Sequence, residues 1–357
     1  MERDLTAPTT ALIIETNNLA GGGGAADTVE RSLTRLLARL RTQTRPLSSL
    51  DDVIVVHDGL APAVRNRLHE AAGRRLRFVA LDAGADYYAA KDAGFAATRA
   101  EVVAFADADC WPDPDWLRAL LEPFSNGGEV AAVAGRTSYR DDLFGAAATA
   151  IDFMYFASPL GAGCTRNFYA NNVAFRRDVL ARAGFGAHGF YRGSCQVLGL
   201  ALQARGIAIR FVPGAHTVHR LPDTAADLLR LRLLRGADSV ELAPHLARAY
   251  LPPRAGWVGR LGPLSGLAVL AVRWGCSLLA LRRQRLPAVR GLRWLAGATV
   301  VSAIHAADAV GAVIRGLRLG LAPPARHAQA LAYHRDVDAL ADRENSLTLA
   351  LRARAAS

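Results

Sequence analysis

Up to Asp109 the chain repeats one unit: a short apolar run, a polar cluster, then a stretch with helical spacing. The apolar runs are Ala11–Ile14, Val53–Val56, Leu76–Leu81 and Val102–Ala106. Continuous apolar runs of strand length are buried on both faces, as in a parallel sheet. Between them, Asp27 and Glu30 can cap a helix in which Val29, Leu33, Leu36, Leu37 and Leu40 recur at helical spacing. A second helix follows Gly59, and Tyr87–Thr98 reads as a third. Strand–helix units in series predict an α/β fold, a mixed but mainly parallel sheet with helices on both faces. Ligands of such sheets bind outside the carboxyl ends of the strands. Here those ends are polar: Glu15-Thr16-Asn17-Asn18, His57-Asp58-Gly59 and Asp107-Ala108-Asp109.

Alternate residues of a strand point the same way, so Asp107 and Asp109 are expected on one face. Two carboxylates held together repel unless a cation lies between them, and Mn²⁺ or Mg²⁺ shared with substrate phosphates is a common resolution. The plainer alternative is a solvated strand end. The Gly21–Gly24 run lacks the Lys-Ser/Thr of a phosphate-binding P-loop and the spacing of a dinucleotide fingerprint, and reads as a loop.

Of the 357 residues, 51% are hydrophobic and the formal charge is +11. That apolar content excludes a disordered chain, and the charge, mostly arginine, fits anionic partners. No zinc spacing, aromatic RNA signature or helix-turn-helix occurs, so nucleic acid is not expected. The 4 cysteines are scattered without a disulfide framework, which fits a reduced, cytoplasmic setting. Met1-Glu2-Arg3-Asp4 leads into no hydrophobic signal region, so export is not expected.

Over roughly residues 10–240 the chain resembles family 2 glycosyltransferases of the GT-A fold. Ile13-Ile14-Glu15-Thr16-Asn17-Asn18 stands where that family has an Ile-Pro-Thr-Tyr-Asn-like strand end, and Val55-Val56-His57-Asp58-Gly59 where it has Val-Asp-Asp-Gly. Ala90-Lys91-Asp92-Ala93-Gly94 is similar to its Ala-Arg-Asn-x-Gly segment, and Phe105-Ala106-Asp107-Ala108-Asp109 to its Asp-x-Asp strand. The resemblance implies a nucleotide-diphosphate sugar donor, a UDP-sugar first, moved by a hexosyltransferase in cell-envelope or polysaccharide synthesis. It implies donor contacts from Thr16, Asn18, Asp58, Lys91 and Asp107, with Asp107, Asp109 and His219 on Mn²⁺ or Mg²⁺. Asp58 could instead shape a turn, and Lys91 could be an ordinary helix lysine.

Asn167-Phe168-Tyr169-Ala170-Asn171-Asn172-Val173-Ala174-Phe175-Arg176-Arg177 is similar to the family's Gly-x-Asn-x-Ala-Phe-Arg-Arg stretch. It implies acceptor contacts from Asn171, Asn172 and Arg176, against buried asparagines bonding loop backbone. Many inverting members next carry Glu-Asp, one of which removes the acceptor's proton. Ser194 and Cys195 hold those positions here, and no Asp or Glu lies between Asp178 and Asp223. Three explanations stay open: another base, with His188 and Cys195 as candidates; a retaining reaction; or a catalytically silent nucleotide-sugar-binding or scaffold protein. Arg232-Leu233-Leu234-Arg235-Gly236 lacks the Gln and Trp of processive relatives, so processive polymerisation is not expected.

After Pro252-Pro253, apolar runs at 264–281 and 294–314 each have roughly the 20-residue length of a membrane span. Arg282, Arg283, Arg285, Arg290 and Arg293 lie between them. A helical hairpin on the membrane surface, a spanning pair and a soluble appendage are the alternatives, and the first conflicts least with the arginines. The expected plan is a lead-in at 1–9, a GT-A domain at 10–250 and a helical, membrane-associated region at 251–357. Within the GT-A domain, 10–125 forms the nucleotide-sugar half and 126–250 the acceptor half. The acceptor is expected to be a glycan or a lipid-linked group, met at the inner face of the cytoplasmic membrane.

Overall fold

The computed structural model describes residues 8–16, 25–81, 85, 87–125, 130–185, 193–251, 255, 257–258, 261, 263–284 and 286–320. The chain divides into two compact units, residues 1–189 with 208–221, and residues 190–207 with 222–357.

The first unit is built on a sheet of 9 strands among the described residues. In chain order its elements are β1 (Thr10–Glu15), α1 (Ala25–Arg41), β2 (Asp52–His57), α2 (Pro62–Ala72), β3 (Arg77–Ala80), α3 (Tyr87–Ala96) and β4 (Val102–Asp107). There follow β5 (Cys110–Pro112), α4 (Trp116–Ser125), β6 (Ala132–Ser138), α5 (Leu143–Asp152), β7 (Cys164–Thr165), β8 (Asn172–Arg176) and α6 (Arg177–Ala183). The last strand is β9 (Ile209–His219). The strand order is β3-β2-β1-β4-β8-β6-β9-β5, with β7 also on β9. β1 to β4 are parallel, as their apolar runs predict, and β8 enters antiparallel beside β4.

Parity assigns the two faces. Leu12, Ile14, Val53, Val55, Ala104 and Ala106 join Leu33, Leu36 and Leu37 of α1 and Trp116, Leu117 and Leu120 of α4 in one core. Ile13 and Phe105 face the other way, and there α3 lies so close that a Cβ on Gly94 would stand 2.5 Å from Ile13 Cγ2. Phe105, Phe168, Phe175 and Phe185 pack edge-to-face beneath it. With both faces covered, every residue of β1 and β4 is buried.

Apolar Ile207–Val212 predicts a strand ending at Pro213, yet β9 runs on to His219. The register slips there: Gly135 pairs with Val212 and Arg136 with His216, so Pro213, Gly214 and Ala215 bulge out. The bulge moves the proline off the ladder and lets the strand continue to the histidines.

The second unit is helical: α7 (Ser194–Ala204), α8 (Ala225–Glu241), α9 (Ala243–Tyr250), α10 (Pro263–Arg283) and α11 (Arg293–Gly320). The two apolar runs are α10 and α11, each long and apolar enough to cross a membrane by length and composition. α8 meets α11 at backbone contact. A Cβ on Gly236 would stand 1.9 Å from the Asp308 carbonyl oxygen, and one on Gly311 2.1 Å from that of Leu233. Beside this crossing the Arg232 guanidinium donates to buried Asp308 at 2.7 Å.

Candidate metal centre

β4 delivers Asp107 at its last position, in register with Glu15 of β1. Asp107 has odd parity and so faces α3, where Lys91 and Tyr87 wait one helical turn apart. Lys91 Nζ lies 2.6 Å from Asp107 Oδ1, with side-chain exposures of 0% and 2%. The Tyr87 hydroxyl donates to the same carboxylate at 2.9 Å, and its ring stands 4.6 Å from the ammonium. Burial first, then the carboxylates of Asp107 and Glu15, hold the Tyr87 phenol well above its ordinary pKa, so it keeps the proton it donates.

The strand ends at Asp107, and Ala108 and Asp109 form the turn into β5. β5 pairs antiparallel with β9, setting Cys110 opposite His219, and the Arg220 amide donates to the Asp109 carbonyl at 3.1 Å. This register brings His219 to the aspartates across more than a hundred residues. His219 Nε2 lies 3.5 Å from Asp109 Oδ1 and 3.9 Å from Asp107 Oδ2. Its Nδ1 is 2.8 Å from the Arg220 carbonyl, which can only accept, so Nδ1 carries a proton and Nε2 is the nitrogen that faces the carboxylates.

An imidazole nitrogen converging with two carboxylates is a donor set able to hold a divalent cation. Ligand atoms sharing an ion at about 2.1 Å, at right angles or somewhat wider, stand roughly 3–3.5 Å apart, which the Asp109–His219 separation matches. Donor atoms of Asp109, Cys110 and His219 all lie within 4.8 Å of one another. Burial, then the carboxylates of Asp107 and Asp109, pushes the Cys110 thiol well up, and a soft sulfur donor is a poor match for a hard divalent ion. The residues present fit a hard divalent ion on Asp109 and His219, with Asp107 alongside.

An aromatic wall backs His219. The Tyr139 and Phe153 rings each stand 5.8 Å from the imidazole, and Tyr139 donates to Asp152 at 3.0 Å. No sequence pattern marks Tyr87, Tyr139 or Asp152, since each takes its place only through tertiary contacts.

Other expected residues have different surroundings. The Thr16 hydroxyl donates to the Val56 carbonyl at 2.9 Å, tying the ends of β1 and β2. Asp58 is exposed on the bend after β2, before Gly59 at φ +130°. Asn171 Oδ1 accepts from Thr137 at 3.1 Å. Asn172 is wholly buried and spends both N–H groups on the Arg136 and Ala215 carbonyls, while its oxygen accepts from the Trp116 indole. It fastens the bulge and has no donor left for a sugar. Arg176 is not brought to the centre: it pairs with Val102, at the end of β4 opposite Asp107. Its guanidinium donates to the Val130 carbonyl. His216 lies between Asp113 and Ser138, 2.8 Å from each. Cys195 is buried on α7 of the second unit, and the first turn of that helix holds no acidic residue. Asn18 and His188 lie outside the described residues.

A comparison with curated protein sequences finds no match. Among solved structures the chain is similar to a mannosyltransferase from Pyrobaculum calidifontis in complex with GDP-Man and Mn²⁺. That pair has 20% identity and a TM-score of 0.50 over 86% of this chain and 87% of the other. It is also similar to glucosyl-3-phosphoglycerate synthase from Mycobacterium tuberculosis in complex with phosphoglyceric acid. There the identity is 19% and the TM-score 0.44, over 69% and 81% of the two chains. The sequence model for glycosyl transferase family 2 matches residues 25–183. The chain therefore has the GT-A glycosyltransferase fold, with family 2 sequence character across residues 25–183.

Proposed function

We propose that the protein is a metal-dependent glycosyltransferase of hexosyl type that takes its sugar from a nucleoside diphosphate, a UDP-sugar first. The observation that carries this reading is the meeting of Asp109 and His219 beside Asp107, at the carboxyl end of β4 in a GT-A sheet. When bound, Mn²⁺ or Mg²⁺ supplies charge stabilisation for the departing diphosphate. Asp109 and His219 would hold that ion, and the Arg220 carbonyl, accepting from Nδ1, leaves Nε2 as the nitrogen able to ligate it. Lys91 and Tyr87 fix the rotamer of Asp107, so the carboxylate is in place before donor arrives. Asp58, exposed on the bend after β2, would accept the imide N–H of a uracil base. The acceptor is a glycan or lipid-linked hydroxyl, in keeping with cell-envelope or polysaccharide synthesis at the inner face of a membrane. Two apolar helices in the same chain support the membrane side of this reading.

A second reading, a silent nucleotide-sugar-binding protein of the same fold, is favoured by one observation: Ser194 and Cys195, not carboxylates, open α7. Incubation with UDP- and GDP-sugars, with and without Mn²⁺, separates the two. Transfer or hydrolysis that needs the metal and drops at least 10²-fold in Asp109→Ala is the expected result. Metal-dependent nucleotide binding without turnover would support the silent protein. If Asp109→Ala alters neither binding nor turnover, the metal centre is misassigned.

A further inference from the structure

α10 closes with Leu281-Arg282-Arg283, Gln284 follows it, and α11 opens with Arg293-Trp294-Leu295. A 3₁₀ turn at Pro287–Val289 and Gly291 at φ +59° join them. The connection forms an open, shallow pocket of about 410 Å³ lined by Arg282, Gln284, Val289, Arg290, Gly291 and Trp294. Val289 is a buried floor, while Arg282 and Arg290 stand exposed on the rim. Two guanidinium groups over a concave, partly apolar surface have the chemistry of a phosphate site.

The surroundings distinguish a lipid phosphate from a free one. Beside the rim, Leu292 is 85% exposed, and Leu279 and Leu295 are each 57% exposed. Further exposed apolar side chains follow along both helices, Leu264 and Trp274 on α10 and Val310, Ile314 and Leu317 on α11. Arginines beside solvent-facing leucines match a membrane interface, with guanidinium groups at headgroup phosphates and leucines at the acyl boundary. A soluble phosphate has no use for the leucines. α11 also packs on a charged helix: residues 308–312 meet α8 at Gly236 and Leu233, and Asp308 pairs there with Arg232. α8 carries exposed Asp227 and Arg230. Those charges belong in water or headgroups rather than in hydrocarbon, which favours a pair lying in the interface over one crossing the bilayer.

We propose that the α10–α11 turn is a binding site for the phosphate of anionic lipid headgroups, seating these helices in the membrane interface. The proposal deepens the membrane-surface side of the function given above and does not depend on turnover. Its test uses the full chain and vesicles of phosphatidylcholine alone or mixed with phosphatidylglycerol. Binding is expected only with the anionic lipid and is expected to weaken with salt. Arg282→Ala/Arg290→Ala should weaken it roughly 30-fold, about fivefold for each charge near the surface. Arg282→Lys/Arg290→Lys should recover most of the binding, so a misfolded alanine variant cannot imitate support, and unchanged thermal melting checks the fold. Equal binding to both vesicles, or an unaffected alanine variant, overturns the site. Displacement of the protein from vesicles by inorganic phosphate beyond that caused by sodium chloride of the same ionic strength also overturns it, in favour of a free phosphate ligand. Asp109→Ala should bind vesicles as the natural chain does. Lost turnover with intact vesicle binding then counts against the transferase alone, and the reverse pattern against the headgroup site alone.

Discussion

Lys91 and Asp107 are opposite charges removed from water together, and that sets what each can do. A buried pair has little net value against an apolar pair of the same size, but breaking it strands a charge. Lys91→Met should therefore cost about 3–5 kcal/mol of unfolding free energy, while Lys91→Met/Asp107→Leu should recover most of it. Denaturant titration of the two variants gives the answer, and a near-neutral Lys91→Met would mean that the ammonium does not neutralise Asp107. His57 offers a pH test. Its Nδ1 accepts from the Gly59 and Leu60 amides at 3.1 and 3.0 Å, so the ring must stay unprotonated there. Burial, then nearby Arg65, lowers its pKa below the ordinary 6.5. The unfolded chain thus takes up the proton first, and the contribution of His57 to stability is complete above about pH 6.5 and lost as pH falls below it. His57→Asn offers an oxygen near the Nδ1 position without a titration. Its melting temperature should fall less between neutral pH and pH ~5 than that of the natural chain.

Glycine decides how closely elements meet, and α8 against α11 is the sharpest case. With a Cβ at Gly236 only 1.9 Å from the Asp308 carbonyl, Gly236→Ala must spread the helices and stretch the Arg232–Asp308 pair. A loss of about 1–3 kcal/mol is expected in thermal or chemical unfolding. A methyl group added at Gly275 on α10 would meet nothing within 4 Å, so Gly275→Ala should gain about 0.5–1 kcal/mol from helix propensity. If the two substitutions behave alike, close packing is not what Gly236 provides. The legibility of elements follows the same physics. β1, β2 and β4 were readable because burial on both faces demands unbroken apolar runs. β5 was not, since three residues ending in Pro112 have no period to read. β9 was cut short because a proline mid-strand normally ends pairing, and only the bulge, fixed by Asn172 and by the missing Cβ of Gly135, lets it continue. Of the centre, Asp107 and Asp109 stood out by their place at a strand end, and His219 by a family-like pattern. The sequence also marked Lys91 and Arg176 as ligand contacts. It could not show that Lys91 turns inward to Asp107, or that antiparallel β8 carries Arg176 to the other end of β4.

At the scale of the whole chain, the two proposed ligand sites fall in different units. A divalent ion with nucleotide would act on the turn at Asp109 and on His219, both in the first unit. Anionic lipid would act on the α10–α11 turn, in the second. Binding to the folded state stabilises by RT ln(1 + [L]/Kd), about 2.7 kcal/mol at a hundredfold excess over Kd. Amides that exchange only through opening of the liganded region should then slow by roughly 100-fold. Hydrogen exchange read by mass spectrometry should show Mn²⁺ with UDP slowing exchange in peptides covering 102–112 and 209–219. Vesicles containing phosphatidylglycerol should slow it in peptides covering 279–295. Asp109→Ala should abolish the first protection and keep the second, and Arg282→Ala/Arg290→Ala should do the opposite. Metal protection that survives Asp109→Ala would place the ion elsewhere, because Asp109 supplies the carboxylate oxygen that stands nearest the His219 Nε2 in the proposed centre.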